Sequence, residues 1–337
     1  MEYISLGKTG LMVSRTAFGA LPLQRIVDYN ESSALIRAAY EGGINFFDTA
    51  HSYTDSEEKL GFVIEDIRND IVIATKSGAR NAADLRTDLE TSLRNLQTDF
   101  IDLYQIHNPS FIPMPGGSDG LYDALLEFKK EGKIRFFGIT NHSRQLAFQA
   151  VETGLYDTIQ YPFSYLADNQ DVELVKICAD KTMGFIAMKA LAGGLITNIS
   201  AAFAWIRQFE EVIPIWGIQR MVELEDFLDL EQNPVLLDES IKLAIEKDRK
   251  SLCGNFCRGC GYCLPCPANI PINNANRMSQ LLRRSPTAQW LTPEWQDLMG
   301  RIKNCTKCGL CAKRCPYGLK PYETLPKHLK DYRSFLR

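Results

Sequence analysis

The residues of this chain best suited to chemistry are cysteines. Of ten, nine lie after residue 252, and eight fall into two short runs. The first is Cys257, Cys260, Cys263 and Cys266, followed by Pro267; the second is Cys305, Cys308, Cys311 and Cys315, followed by Pro316. Two-residue spacers let consecutive thiolates curl toward a common point, as ligation of a metal by sulfur requires. Disulfides are the competing use, but Cys-x-x-Cys grammar in a chain whose first residues show no secretory pattern points to metal. Zinc also accepts four thiolates. Cys253, four residues before the first run, is either a substitute ligand or a bystander, and Cys178 is most simply a small buried hydrophobe.

The second run, CxxCxxCxxxCP, resembles that of bacterial two-cluster ferredoxins, and the first is its partner, one residue shorter before its last cysteine. Paired three-plus-one runs, each closing on Cys-Pro, favour clusters over zinc. The resemblance implies two [4Fe-4S] clusters with crossed ligation: Cys257, Cys260 and Cys263 with Cys315, and Cys305, Cys308 and Cys311 with Cys266.

Elements must hold such groups in place. Up to about residue 245, short β-branched apolar runs alternate with segments of helical period, which predicts repeated βα units. The expected strands are 16–20, 45–50, 71–76, 102–107, 135–140, 158–162, 184–189 and 212–218. Between two of them Leu85, Leu89, Leu93 and Leu96 recur on one helical face. Helices are expected to start at Thr54-Asp55-Ser56 and at Asn141-His142-Ser143. Eight units imply a closed barrel, whose active site lies at the strand C-terminal ends, beneath loops such as 107–121. The predicted fold class is α/β: a (β/α)8 TIM barrel over 1–245, and a small, mainly α, ferredoxin-like iron-sulfur domain over 246–337. A mixed charge run at 246–250 marks the boundary, and 275–284 and 293–302 should be helical.

Phe47-Asp48-Thr49-Ala50-His51-Ser52-Tyr53 resembles the second βα unit of the aldo-keto reductase family. IATKSG with Lys76, DLYQIH with His107, GITNHS with Thr140 and Asn141, and TIQY with Gln160 follow in family order. The resemblance implies a catalytic set of Asp48, Tyr53, Lys76 and His107. Hydride delivery to a carbonyl leaves an oxyanion that needs a proton donor. Tyr53 would donate, Lys76 would favour its phenolate, Asp48 would hold the ammonium, and His107 would orient the substrate carbonyl. Thr140, Asn141 and Gln160 would hold the carboxamide of NAD(P)H. Where the family stacks an aromatic ring on the nicotinamide, this chain has Met188 followed by Lys189. Where it binds the adenosine phosphate, the chain reads Gln219-Arg220, with Glu225 placed to meet the adenine amine. Each of these residues taken singly has a bland reading as a cap, a core group or a rim charge; the set in order favours chemistry.

Nicotinamides give up two electrons together and clusters pass them singly, so a flavin is a possible intermediary. The clusters alternatively only staple a thin-cored domain. The chain has 337 residues and a net charge of −3, so no basic field spans it to hold nucleic acid, and its apolar stretches are too short for membrane insertion. The expectation is a cytoplasmic oxidoreductase that reduces a carbonyl or conjugated small molecule while its clusters relay electrons, with a ferredoxin or other redox protein as candidate partner. Phe111, Ile112 and Met114 suggest an apolar substrate. The alternatives are a ferredoxin-linked flavin-dependent reductase using the barrel as scaffold, and a non-catalytic electron-transfer subunit. Anaerobically purified protein should carry about eight irons and about eight acid-labile sulfides per chain; about four irons or fewer would remove one cluster.

Overall fold

Short apolar strands separated by helical segments bury both faces of a sheet only if they lie parallel with the helices outside. In the computed structural model, which describes residues 1–252 and 256–336, eight such strands close into a barrel; Cys253 lies outside the described residues. A hairpin of β1 (Tyr3–Ser5) and β2 (Met12–Ser14) comes first. The barrel strands follow: β3 (Ala17–Gly19), β4 (Phe46–Asp48), β5 (Val72–Ser77), β6 (Ile101–His107), β7 (Ile134–Thr140), β8 (Thr158–Pro162), β9 (Gly184–Met188) and β10 (Val212–Gly217). All eight expected strands are present. Each pairs in parallel with the next, and Ile215 of β10 pairs with Ala17 of β3 to close the ring. The helices that follow β3 to β10 are α1 (Tyr29–Glu41), α2 (Ser56–Ile64), α3 (Ala82–Asn95), α4 (Leu121–Lys130), α5 (Arg144–Thr153), α6 (Asn169–Asp180), α7 (Ile199–Ile206) and α8 (Met221–Gln232).

Local chemistry sets the helix ends. Asn81 accepts from the Asp84 amide at 2.9 Å, and Asp168 and Asp171 cap α6 reciprocally, each satisfying amides that the first turn leaves without a helical partner. On α3, Leu85 and Leu89 are buried, as its helical spacing predicts.

The hairpin decides which end of the barrel is available. Leu6, Leu11 and Val13 form one buried cluster with Ala17, Phe46, Val72 and Ile213, which stand at or near the starts of their strands. Gly7, at φ +54°, brings the hairpin turn so close that a Cβ would lie 2.2 Å from the Gly184 amide nitrogen, a conformation and an approach that favour glycine. The N-terminal end is thus filled with hydrocarbon, and polar side chains can gather only at the other end.

Residues Met1–Ala190 and Phe203–Leu236 form one compact unit, while Leu191–Ala202 and Leu237–Arg337 form a second. Within the second unit, helices Ile272–Ala275, Met278–Arg284, Pro293–Gly300 and Pro321–Ser334 enclose a small core that includes Met278, Leu281, Leu325 and Tyr332. The Tyr332 hydroxyl donates to the Trp290 carbonyl at 2.8 Å. Two arginines bind segment 191–202: Arg277 donates to the Gly193 carbonyl at 2.7 Å and Arg284 to the Leu195 carbonyl at 2.9 Å. No helix among the described residues is long and apolar enough to cross a membrane.

Gly61 lies on α2 where it meets the end of α3, and a Cβ there would fall 2.1 Å from the Asn95 carbonyl oxygen. Backbone cannot swing aside as a side chain can, so Gly61→Ala should cost about 1–3 kcal/mol. Urea unfolding followed by tryptophan fluorescence measures this, and an unchanged midpoint would contradict the close approach.

Candidate functional site

Asp48, Lys76, His107, Thr140 and Gln160 come from five consecutive strands, β4 to β8, each at or near its C-terminal end. Parallel register aligns them: Lys76 pairs with Gln105, His107 with Thr140, and Thr140 with Gln160. Their gathering therefore follows from barrel closure.

Lys76 and Asp48 form the base of the site, 1% and 2% exposed. The Lys76 ammonium donates to Asp48 Oδ1 at 2.7 Å and to the Thr49 carbonyl at 2.5 Å. Gln160 and Gln105 donate to the two oxygens of Asp48 at 3.4 Å each. Burial pushes the Asp48 carboxyl up and the Lys76 ammonium down, and each opposes the shift of the other by its charge. The Oε1 atoms of Gln105 and Gln160 are buried without a hydrogen-bond partner, so two acceptors remain available there.

Tyr53 sits on the turn between β4 and α2, where its amide donates to the Ala50 carbonyl at 2.9 Å and its carbonyl accepts from the Ser56 amide at 2.8 Å. Its ring meets that of His107 edge to face, with centroids 6.0 Å apart, and the Lys76 ammonium stands 5.3 Å from the Tyr53 centroid. The expectation that Lys76 makes Tyr53 more acidic needs correction. Burial, reinforced by the Asp48 charge, pushes the phenol above its ordinary value. Burial and the charges of Lys76, Arg80 and Lys189 depress His107 to about 3. The site thus presents a protonated phenol and a neutral imidazole above a buried ion pair.

The remaining expected contacts divide. Thr140 and Asn141 are turned to holding the long loop: Thr140 Oγ1 accepts from the Asn108 amide at 3.0 Å, and Asn141 donates to the Pro109 carbonyl at 2.9 Å. Tyr156 adds a bond to the Pro113 carbonyl at 2.7 Å. Met188 ends β9 and is 8% exposed, and Lys189 follows at φ +58°. After β10 the decisive residue is Glu223, which sequence reasoning missed. Its carboxylate accepts from the Gln219 amide at 2.8 Å, the Arg220 amide at 3.1 Å and the Arg220 Nε at 2.9 Å. Glu223 therefore caps the two amides that precede α8 and pairs with Arg220, and Glu225 stands exposed on α8. Its signal was present as an acid three residues into a helix, the spacing of a capping box. His51, given no role from sequence, lies 3.3 Å from Asp88 and 3.9 Å from Glu57.

In the second unit, Cys263, Cys266, Cys305, Cys308 and Cys311 line one cavity. The Cys263 thiol is pushed up to about 12 by burial and by the charges of Cys257, Cys260 and Cys315. Cys257 is likewise raised by burial and by Cys315, while the Gly259 amide donates to its sulfur at 3.4 Å. Cys315 of the second run thus lies near Cys257 and Cys263, and Cys266 shares its cavity with Cys305, Cys308 and Cys311. Among the described residues no three His, Cys, Asp or Glu side chains converge tightly enough for a single metal ion. Cys178 is fully buried on α6.

A depressed folded value means that the unfolded chain takes up a proton at His107 that the folded one refuses. That contribution to stability is complete above about pH 6.5 and declines as pH falls toward about 3. The imidazole carbon shifts of His107 in NMR should therefore stay those of the neutral ring from about pH 8 down to about pH 5; a midpoint near 6.5 would show that the ring is not desolvated.

The aldo/keto reductase family model matches residues 17–204 and the 4Fe-4S dicluster domain model matches residues 256–320. L-galactose dehydrogenase of Arabidopsis thaliana is 33% identical over 59% of this chain and 68% of its own length. An aldo-keto reductase of Bacillus subtilis is 32% identical over 59% of this chain and 64% of its own length. Among solved structures, a putative aldo-keto reductase from Pseudomonas aeruginosa superposes with a TM-score of 0.62 at 27% identity, covering 68% of this chain and 94% of its own. The chain thus spans about two thirds of the length of these curated relatives. The parallel eight-stranded barrel, the polar set at its strand ends and these matches together make the chain an oxidoreductase of the aldo/keto reductase family, with a 4Fe-4S dicluster domain following the barrel.

Proposed function

We propose that the chain reduces a carbonyl or conjugated small molecule with Tyr53 as proton donor, and that its eight run cysteines hold two [4Fe-4S] clusters. The observation that carries the first part is the buried Asp48–Lys76 pair beneath a protonated phenol and a neutral imidazole. As electrons reach the substrate carbon, negative charge grows on its oxygen. His107, being uncharged, orients that oxygen by a hydrogen bond without drawing a counter-ion into the site. Tyr53 then passes its hydroxyl proton to the oxygen, and the phenolate left behind faces the Lys76 ammonium. Asp48 and the Thr49 carbonyl keep that ammonium in place throughout. Burial makes the phenol a weaker acid than usual and so prevents early loss of the proton.

The thiols suit clusters. Cys257, Cys260, Cys263 and Cys315 would hold one, and Cys266, Cys305, Cys308 and Cys311 the other. Burial makes bare thiolates costly, and iron compensates for that cost. Such clusters, when bound, supply electrons one at a time.

Dinucleotide fit is uneven. Gln160 Oε1 offers an acceptor for a nicotinamide carboxamide, but Arg220 is already paired with Glu223 at 2.8 Å, and the amides suited to a nucleotide or flavin phosphate already face that carboxylate. Tyr53 protonates the oxygen with either donor; a hydride donor would also bring the hydrogen on carbon, whereas one-electron donors would require a second proton there.

Tyr53→Phe removes the proton and little else. Anaerobic turnover on a panel of aldehydes, ketones and enones should fall by about 10²–10⁴-fold with iron content unchanged. Equal rates in the variant and wild type would refute Tyr53 as the donor, and flavin in the heat-released supernatant would transfer the electron step to a different group.

A further inference from the structure

Charge divides between the two units more sharply than the net value of −3 suggests. Residues 1–236 hold 20 Lys and Arg against 33 Asp and Glu, while residues 237–337 hold 18 against 8. The segment 191–202, which belongs to the second unit, adds no charge. The barrel unit therefore carries −13 and the cysteine unit +10, before clusters with their thiolates take back part of the positive charge.

The excess concentrates around the second run. Between Asp297 and Glu323 there are six basic residues and no acidic one: Arg301, Lys303, Lys307, Lys313, Arg314 and Lys320. Arg301 pairs with Asp297 at 2.8 Å, and Lys320 lies 3.7 Å from Glu323. Lys303, Lys307 and Lys313 are exposed and make no ion pair among the described residues. All three lie on the stretch that wraps the cavity lined by Cys305, Cys308 and Cys311. Cys308 is the exposed cysteine among those described, so a cluster held there would come nearest to solvent at that edge.

We propose that the Cys308 edge, with exposed Lys303, Lys307 and Lys313 on the same stretch of chain, docks an acidic one-electron carrier protein. The inference deepens the cluster reading above and is independent of the proton chemistry at Tyr53. Electron-transfer encounters are small and brief, so complementary charge rather than buried area must bring the partners together. Lysines suit that task, since a flexible ammonium attracts without fixing one bidentate geometry. In the transfer itself the reduced carrier loses one electron and the cluster gains it, with no atom or proton exchanged.

The test uses the full-length, anaerobically loaded protein and an acidic [2Fe-2S] ferredoxin as probe. Biolayer interferometry should show the probe binding at low salt and weakening about tenfold or more between ~0.02 and ~0.2 M salt, as screened charges do. The combined variant Lys303→Gln, Lys307→Gln and Lys313→Gln should lose about tenfold in affinity at low salt, while iron content and cluster absorption stay at wild-type values. Equal affinity in the variant and wild type overturns the proposal. So does tighter binding of a short DNA duplex that depends on the same lysines, or dimerisation in sedimentation that the three substitutions abolish. Loss of iron from the wild type removes the cluster reading instead, and Tyr53→Phe leaves the binding unchanged, so the failures are distinguishable.

Discussion

Most of the barrel's chemistry depends on one buried ion pair. Removing an ammonium and a carboxylate from water costs several kcal/mol per ion, and attraction offsets this only where geometry is good and the remaining donors and acceptors are met. Lys76 meets two oxygens and Asp48 is approached by three donors, which is how the pair persists at 1–2% exposure. Such a pair contributes little as a stabiliser. Its value is a fixed positive centre that cannot drift into solvent, placed where a phenolate would form.

The rest of the site is arranged so that this charge is spent late. Tyr53 is kept protonated by burial and by the Asp48 charge, and His107 is kept neutral because burial and the neighbouring cations resist another charge. Both effects follow from closing one end of the barrel. With Leu6, Leu11 and Val13 filling the other, polar residues that terminate the strands have a single place to converge. Gln105 and Gln160 add to the set by donating to Asp48 while leaving their carbonyl oxygens unmatched.

Electron supply follows different rules. After β10, Glu223 caps the Gln219 and Arg220 amides and pairs with the Arg220 guanidinium, so that Arg220 already has an anionic partner. In the second unit Cys257, Cys263 and Cys311 are buried and Cys308 is exposed, in a part of the chain with 18 Lys and Arg against 8 Asp and Glu. One chain thus joins an acidic barrel suited to proton delivery with a basic unit suited to single electrons.

Much of this was legible in the sequence, because it depends on local order. Eight strands can be read from the alternation of apolar runs and helical periods, and cysteine spacing of two or three residues specifies ligand runs wherever the domain lies. The set Asp48, Tyr53, Lys76 and His107 was recognisable because a barrel presents its strands in chain order. Other features were decided only by tertiary structure. The direction in which Tyr53 and His107 shift depends on burial and on the charges that the strands bring beside them. Protonation is set by distances through space and by the exclusion of water, and neither quantity is written along the chain.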